Sequence, residues 1–316
     1  MKQSKNKWPY PLHGEFEREL RKTAAKWFAD CGYAASKKYP FILDDRDNQW
    51  HKNIIVPEVA AYIKDVKKKA EDDGRPFPLH QYIHHGLSSQ AMLFNLVGPF
   101  LAGVNPIEQL AQAFSGIPWP QEDLTVTLEY ESRKVFNERQ AQPTSIDLHV
   151  KGTTGQPLFI ESKFVEHEFG GCSVFQRGDC DGRNPACDFN LCYLHNAGRT
   201  YWSRMEEYGL LQGVLRDSPL CPFINYYQFF RELLFALQEE GLFILLHDAR
   251  NPTFYVESEY DSGAPRGLWP FLLSLLPEHI RSRCHRVTVQ QIIRSLERSP
   301  NPPDWLAEFT RKYGLD

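Results

Sequence analysis

The sequence predicts an α/β protein organised around a mixed β-sheet. Three consecutive segments, 124–132, 144–152 and 156–164, alternate apolar and polar residues as half-buried strands do. Farther along, GLFILLHDA (241–249) is short and almost entirely apolar, as expected of a strand covered on both faces. Helical periodicity precedes and follows these strands, which places helices before and after the sheet.

The helices are predicted from apolar residues that recur at helical spacing. Ser88 or Ser89 suits the N-cap of a buried helix that is ended or kinked by Pro99. Thr288 lies near the junction between one more strand and a final helix. In chain order, the predicted helices cover residues 14–38, 55–72, 88–98, 199–216 and 222–240, and the last one follows Thr288.

Length and composition place the chain among ordinary globular proteins. Its 316 residues suffice for one large domain or for a domain with an insertion, and 42% hydrophobic residues argue against disorder. The net charge of −4 gives no overall attraction to nucleic acid or to an anionic membrane. A surface that binds phosphates is therefore expected to be a local patch.

The N-terminal segment and the cysteines indicate the compartment. Residues 1–16 are polar and basic without the apolar core of a secretory signal, and no run approaches the ~20 apolar residues of a membrane span. We therefore expect a cytoplasmic protein with no membrane partner. In that compartment, the seven cysteines are expected to be thiols or metal ligands rather than disulfides.

Three charged residues lie on two neighbouring predicted strands. Asp147 is on the first of them, and Glu161 and Lys163 point to one face of the second. Gly152 and Gly155 between the strands suit the turn of a hairpin. An antiparallel hairpin would bring Asp147 beside Glu161.

Two carboxylates that converge repel each other unless a divalent cation lies between them. Mg²⁺ (or Mn²⁺) is bound in this way, by one or two carboxylates, several waters and phosphate oxygens. Lys163 would then orient a water molecule and offset the charge that develops on a phosphoryl group. The set Asp147, Glu161 and Lys163 therefore predicts metal-assisted phosphodiester hydrolysis. The alternative is an exposed hairpin with a surface salt bridge.

An acidic residue followed two positions later by lysine is weak evidence by itself. Asp65-Val66-Lys67 matches the same pattern. That copy lies in a charged helical run with no preceding strand carboxylate, so we assign it to the solvated surface.

At this point, the sequence resembles a known group of enzymes. TSIDLHV (144–150) followed by FIESKF (159–164) is similar to the core of the PD-(D/E)XK nuclease superfamily, whose common fold is αβββαβ. In detail, SSQAMLFNLVGP (88–99) and NYYQFFRELLFAL (225–237) resemble a prokaryotic family of mostly uncharacterised restriction-endonuclease-like proteins. The resemblance covers about residues 80–295.

The resemblance implies a restriction-endonuclease-like core and a role for individual residues. Asp147 and Glu161 would bind Mg²⁺ (or Mn²⁺), and Lys163 would be the catalytic lysine. DNA would be the substrate of a nuclease, expected to be an endonuclease acting in restriction, repair or defence. The implied domains are a helical accessory region at 1–78 and a nuclease-like domain at 79–316.

Three further polar positions bear on this resemblance. Many members carry an acidic residue in the first core helix, where this chain offers Gln90 as the nearest polar residue. Glu129 and Glu131 share one face of the first strand and are alternative contributors to the metal site, or solvent-facing strand residues. Gln228 resembles the glutamine that some relatives carry in the helix after the active strand.

A Cys-rich insertion is predicted at about residues 165–200. Tetrahedral thiolate ligation would give this irregular, glycine-rich segment a constraint that it otherwise lacks, and zinc and an iron–sulfur cluster fit four cysteines equally. A partial site with His195 as a ligand and unligated thiols are the alternatives. The proposed ligands are Cys172, Cys180, Cys187 and Cys192.

Other polar groups are assigned mainly to the surface or to packing. Glu166-His167-Glu168 follows the catalytic strand and is either a polar loop or within reach of the metal. The histidines His80, His84 and His85 lack a recognisable third ligand. The most basic stretch is either a solvated helical face or a track for DNA; its arginines are Arg281, Arg283, Arg286, Arg294 and Arg298.

The sequence therefore predicts a metal-dependent deoxyribonuclease. One alternative is a nucleic-acid-binding protein with a cleavage-incompetent core and a structural metal module formed by the cysteines. Another is a zinc-stabilised interaction scaffold without a nucleic-acid role.

Overall fold

The fold is taken from a computed structural model that describes residues 11–74, 77–138, 143–258 and 263–315. The first ten residues, which belong to the N-terminal segment predicted to lack a secretory signal, lie outside the described residues. Within the described part of the chain, no helix is both long enough and apolar enough to cross a membrane.

Helices precede the sheet, connect its strands and close the chain. Two 3₁₀ turns, Trp50–Asn53 and Phe189–Leu191, accompany them. In chain order the α-helices are α1 His13–Asp30, α2 Arg46–Gln49, α3 Pro57–Asp72, α4 Ser89–Leu101, α5 Ile107–Ala113, α6 Ser173–Gln176, α7 Tyr193–Asn196, α8 Tyr201–Glu207, α9 Val214–Asp217, α10 Phe223–Gln238, α11 Leu268–Ser274, α12 Glu278–Arg281, α13 Val289–Glu297 and α14 Leu306–Tyr313.

The described residues form one five-stranded mixed sheet in which the strand order follows the chain order. The first three strands are antiparallel to one another, and the last two continue the sheet in parallel. The parallel connection from the third to the fourth strand runs through α10, as a crossover helix does. The strands are β1 Thr125–Ser132, β2 Thr144–Lys151, β3 Leu158–Lys163, β4 Leu242–His247 and β5 Cys284–Thr288.

Apolar residues cover both faces of the sheet. On one face, strand residues pack with helices α1, α3, α4, α13 and α14, and on the other, Phe159, Phe243 and Leu245 pack with α8, α10 and α11. The helices of the N-terminal region therefore share a hydrophobic core with the sheet. The strand residues of the first face are Leu148, Val150, Leu158, Ile160, Leu242, Ile244, Leu246 and Val287.

The predicted α/β architecture with a mixed sheet and a restriction-endonuclease-like order of elements is confirmed. The buried helix starts after Ser88, whose hydroxyl accepts a hydrogen bond from the Ala91 amide at 3.2 Å. Pro99 lies inside this helix and does not end it.

Two predicted helix boundaries are wrong. The helix predicted over 14–38 ends at Asp30. The helix predicted over 199–216 is divided into two short helices, because Gly209 and Gly213 adopt φ of 66° and 49° and so leave the right-handed helical region. The C-terminal helix α14 was not predicted.

A reciprocal cap begins α13. The Thr288 hydroxyl accepts a hydrogen bond from the Gln291 amide at 3.1 Å, and the Gln291 side chain accepts one from the Thr288 amide at 2.8 Å. We expect Thr288→Ala to lower the free energy of unfolding by about 1 kcal/mol, because it leaves an amide at the helix start without its acceptor. Chemical denaturation would measure this loss.

Thr288→Ser is the matched control, because it keeps the hydroxyl and removes only a methyl group. Equal destabilisation by both substitutions would show that packing, not the cap, stabilises this junction.

Candidate active site

A cleft of about 710 Å³ opens beside β2 and β3. The strands and helices α4 and α10 form one wall, and residues from α1 and from the chain between α1 and α4 form the opposite wall. The polar residues on the strand and helix wall are Gln90, Glu129, Ser145, Asp147, Glu161, Ser162, Lys163 and Gln228.

The strand register brings the two predicted carboxylates together. Leu148 pairs with Ile160 in the antiparallel ladder, so the next pair toward the cleft is Asp147 opposite Glu161. Asp147 Oδ2 also accepts a hydrogen bond of 2.8 Å from the backbone amide of Ser162. The carboxylate of β2 is thus fixed against the backbone of β3.

Lys163 is buried beside Glu161, and Gln228 joins both side chains. Lys163 Nζ lies 2.8 Å from Glu161 Oε1 and donates to Gln228 Oε1 at 2.9 Å. The Gln228 amide nitrogen donates to Glu161 Oε1 at 2.7 Å. One glutamine from α10 therefore orients the carboxylate and the ammonium group relative to each other.

Gln90 and Glu129 meet on the same wall of the cleft. The Gln90 amide nitrogen donates to Glu129 Oε1 at 2.6 Å, and the Ser145 hydroxyl donates to Glu129 Oε2 at 3.4 Å. Glu129 has φ of 51°, in the left-handed region. β1 thus places at the cleft a carboxylate that Gln90 holds, while Glu131 does not line the cleft.

Glu232, a fully buried residue one helical turn after Gln228, is not among the site residues predicted from the sequence. Its Oε1 accepts a hydrogen bond of 2.8 Å from Gln228, and its Oε2 has no hydrogen-bond partner. Its place one helical turn after Gln228, in the mostly apolar second half of α10, was the signal that could have identified it.

Burial and mutual repulsion shift the pKa values of the acidic groups upward. Burial raises the pKa of Glu129 to about 7, with a further contribution from Glu161. Burial, followed by the charges of Glu161 and Glu129, raises the pKa of Asp147 well above its ordinary value. The pKa of Glu232 is raised by burial and by Glu161 in the same way.

The pKa of Lys163 is also raised, and for a lysine this shift favours the charged form. Burial by itself lowers the pKa of a lysine, but the carboxylates of Glu161, Glu166 and Glu232 outweigh it, and the net shift is upward. Lys163 therefore remains an ammonium ion at neutral pH, suited to donate hydrogen bonds and to offset negative charge.

The cluster fits a hard divalent cation. Asp147 and Glu161 offer oxygen ligands at the cleft, Glu129 adds a third carboxylate nearby, and the charge of Lys163 compensates only one of them. An oxygen-rich set with excess negative charge is the chemistry that Mg²⁺ and Mn²⁺ select.

The loop after β3 also reaches the cleft. Glu166 lines it and accepts a hydrogen bond from the Phe164 amide at 2.5 Å, and Glu168 is exposed. The rings of His167 and His13 lie 3.6 Å apart, centre to centre, and are tilted by 34°. His80 and His85 line the opposite wall. Burial, followed by His84 and His80, lowers the pKa of His85 to about 4.

The basic stretch does not line this cleft. Arg281 and Arg283 donate to backbone carbonyl oxygens, and the guanidinium of Arg286 lies 3.7 Å from the centre of the Tyr255 ring. These three arginines therefore support the local structure. Arg294 and Arg298 border a separate depression beside α5.

The structure gathers three of the four predicted cysteine ligands. Cys172, Cys180 and Cys192 line one small cavity, to which Cys221 also contributes. Cys187 is exposed and is not part of the cavity lining. Cys221 thus occupies the place that the sequence spacing had assigned to Cys187.

The raised pKa of Glu129 predicts how stability depends on pH. Because the folded state favours the protonated form, the stabilising contribution is complete below pH 4.5 and is lost as the pH rises through about 7. We expect Glu129→Gln, which mimics the protonated form, to flatten the fall in unfolding free energy between pH 5 and pH 8. One carboxyl group contributes at most about 1.4 kcal/mol per pH unit to that slope.

Denaturation in metal-free buffer across this pH range provides the measurement. Glu131→Gln, on the same strand but outside the cleft, is the control and should leave the slope unchanged. An unchanged slope for Glu129→Gln would contradict the assignment of this titration to Glu129.

The comparison with known protein families agrees with this geometry. The family model described as "Restriction Endonuclease associating with ARP" matches residues 21–314, whereas no curated protein and no solved structure matches the chain. Such a family suggests a nuclease with DNA as its substrate, and restriction-endonuclease-like families usually use a divalent metal. The predicted resemblance to restriction endonucleases is confirmed. Because the match extends from α1 to α14, the chain belongs to the family of restriction endonucleases associating with ARP.

Proposed function

We propose that this protein is a metal-dependent endonuclease that hydrolyses DNA phosphodiester bonds in restriction, repair or defence. The observation that carries the proposal is the convergence of Asp147, Glu161 and Lys163 on one cleft, with Gln228 bonded to the last two. If the salt bridge between Lys163 and Glu161 had only a structural role, it would not require additional buried carboxylates around it.

Asp147 and Glu161 would hold the ion, Mg²⁺ or Mn²⁺. When bound, the ion supplies a more acidic water molecule and neutralises charge on the phosphate oxygens. The hydrogen bond from Ser162 fixes Asp147 so that its carboxylate stays directed at the cleft. The hydrogen bond from Gln228 holds the Glu161 carboxylate in place in the same way.

Lys163 would position the attacking water and offset the charge of the transition state. Its upward pKa shift means that it acts as a cation and not as a proton acceptor. Gln228 accepts a hydrogen bond from one of the three N–H groups of Lys163 and so directs the other two. Pre-oriented donors are effective because they need no reorganisation during the reaction.

The wall opposite the carboxylates is suited to hold the substrate. Arg21, Tyr39 and Tyr82 lie on it, and the two tyrosines are 44% and 49% exposed. An arginine can contact a phosphate, and exposed aromatic rings can stack on bases. We therefore assign to the helical accessory region, residues 1–78, together with Tyr82 from the segment before α4, the task of placing DNA over the carboxylates of the 79–316 domain.

The family description names an association with ARP, and we propose that this chain acts in the cytoplasm together with such a partner. A partner would also explain how a chain with a net charge of −4 is brought to DNA.

Cleavage of supercoiled plasmid and of single-stranded circular DNA tests the proposal. We expect nicking in Mg²⁺ or Mn²⁺ and none in EDTA, and we expect Lys163→Ala and Asp147→Asn each to reduce the rate by on the order of 10²-fold or more. These substitutions remove the positioning cation or a metal ligand.

Lys67→Ala is the matched control, because it belongs to the second acidic–x–Lys sequence, on the exposed surface of α3. It should cleave at the rate of the unaltered protein. Cleavage that persists in Lys163→Ala would refute the assigned site. DNA binding without cleavage by any variant would favour the binding-protein alternative.

A further inference from the structure

Four of the seven cysteines converge on one small cavity in and beside the Cys-rich insertion. Three lie between residues 172 and 192, and the fourth, Cys221, directly precedes α10. The sulfur-bearing residues that line the cavity are Cys172, Cys180, Cys192 and Cys221.

Backbone hydrogen bonds hold these segments together. The Cys172 amide donates to the Phe223 carbonyl at 2.9 Å, and the Cys221 amide donates to the Gly182 carbonyl at 2.9 Å. The segment that contains Cys180 is thus paired with the segment before α10. The two segments approach each other closely at Gly182, where a Cβ atom would come within 3 Å of the Phe175 and Ile224 side chains.

Backbone amides point at two of the sulfurs. The Gly182 amide donates a hydrogen bond to Cys180 Sγ at 3.4 Å. With the same spacing of two residues, the Phe223 amide donates a hydrogen bond to the Cys221 sulfur. Burial nevertheless raises the pKa of Cys221 to about 12, and the three neighbouring cysteines add to this rise. Amide donors stabilise thiolates, but four thiolates in an apolar cavity also need a cation.

The other residues of the cavity are mostly apolar and offer no cation. They include Val174, Phe175, Leu194, Phe223 and Ile224. We propose that Cys172, Cys180, Cys192 and Cys221 bind a soft metal centre through four thiolates, with each thiol releasing its proton on ligation.

By ligand type, four thiolates fit either a single zinc ion or an iron–sulfur cluster. Among the described residues, no three of these cysteines have sulfurs within 4.8 Å of one another. A single zinc ion, which holds tetrahedral sulfurs about 3.8 Å apart, would therefore draw these side chains closer together on binding.

The test is metal analysis of the full-length protein purified without oxygen. Iron with acid-labile sulfide and visible absorption would support a cluster, and one zinc per chain would support the same ligands with the other metal. Cys221→Ser should lose most of the bound metal, whereas Cys187→Ser should keep it. Cys284→Ser, a buried cysteine on β5, is the control for folding.

Thiol counting keeps the test valid if Cys221→Ser does not fold. In the unaltered protein, removal of the metal by a chelator should expose four additional reactive thiols. Metal-free protein, disulfides among these cysteines, or equal loss in Cys187→Ser and Cys221→Ser would each overturn the proposed ligand set.

A separate group of ligands borders the DNA cleft. His13 and Glu17 lie one turn apart on α1, His167 follows β3, and one ligand atom of each lies within 4.8 Å of the others. His13 Nε2 donates to the Val165 carbonyl at 3.0 Å, which leaves Nδ1 as the atom with the free lone pair. That Nδ1 is buried and has no hydrogen-bond partner.

We infer that His13, Glu17 and His167 form a second site for a transition-metal ion of the zinc type. A metal-binding histidine commonly donates a hydrogen bond from its other ring nitrogen to a backbone carbonyl, as His13 does to Val165. Two imidazoles and a carboxylate are a ligand set that zinc binds. An ion there would fasten α1 to the loop that follows Lys163.

Zinc titration of the protein with its cysteine centre filled, in excess Mg²⁺, tests this site. We expect His13→Ala and His167→Ala each to bind one fewer equivalent of zinc with high affinity. His167 is exposed, so its substitution leaves the core intact, and His279→Ala is an exposed control. Unchanged zinc stoichiometry in His167→Ala would overturn the site.

Discussion

The cleft beside β2 and β3 depends on the buried ammonium group of Lys163. Lys163 is 5% exposed and lies among the carboxylates of Glu161, Glu166 and Glu232. Without its charge, these acidic groups would have to bind protons or separate, because like charges in a poorly solvated space repel strongly. The ammonium ion therefore permits an acidic site to exist inside a folded protein, and the surplus of carboxylates creates the demand for a second cation.

The mixed sheet gives this arrangement its rigidity. The antiparallel pairing of β2 and β3 sets Asp147 against Glu161, and the parallel pairing of β3 with β4 buries the opposite edge of the catalytic strand. The crossover through α10 then places Gln228 over the pair. The three residues that we propose as catalytic thus stand on strands, and the residue that orients two of them stands on a helix of sixteen residues.

Much of this could be predicted from the sequence because it follows from local patterns. Period-two alternation located β1 to β3, and one acidic strand residue followed by Glu-Ser-Lys located the three residues that converge at the cleft. The roles of Glu232 and Cys221 could not be found in this way. Glu232 lies only one helical turn after Gln228, but its proximity to Glu161 and Lys163 follows from the crossover through α10. Cys221 is tens of residues from the other three cysteines, and the pairing at Gly182 brings it to them. The spacing of cysteines along the chain favoured Cys187, whose side chain turns to solvent.

The backbone of Glu129 shows a conflict between two selective demands. A non-glycine residue in the left-handed region carries conformational strain of roughly 1–2 kcal/mol, which glycine would relieve. Glycine, however, has no carboxylate to meet Gln90 at the cleft. A search for more thermostable variants would therefore tend to favour the loss of this side chain, and selection for cleavage would restore it. Position 129 is where robustness and catalysis are expected to trade against each other.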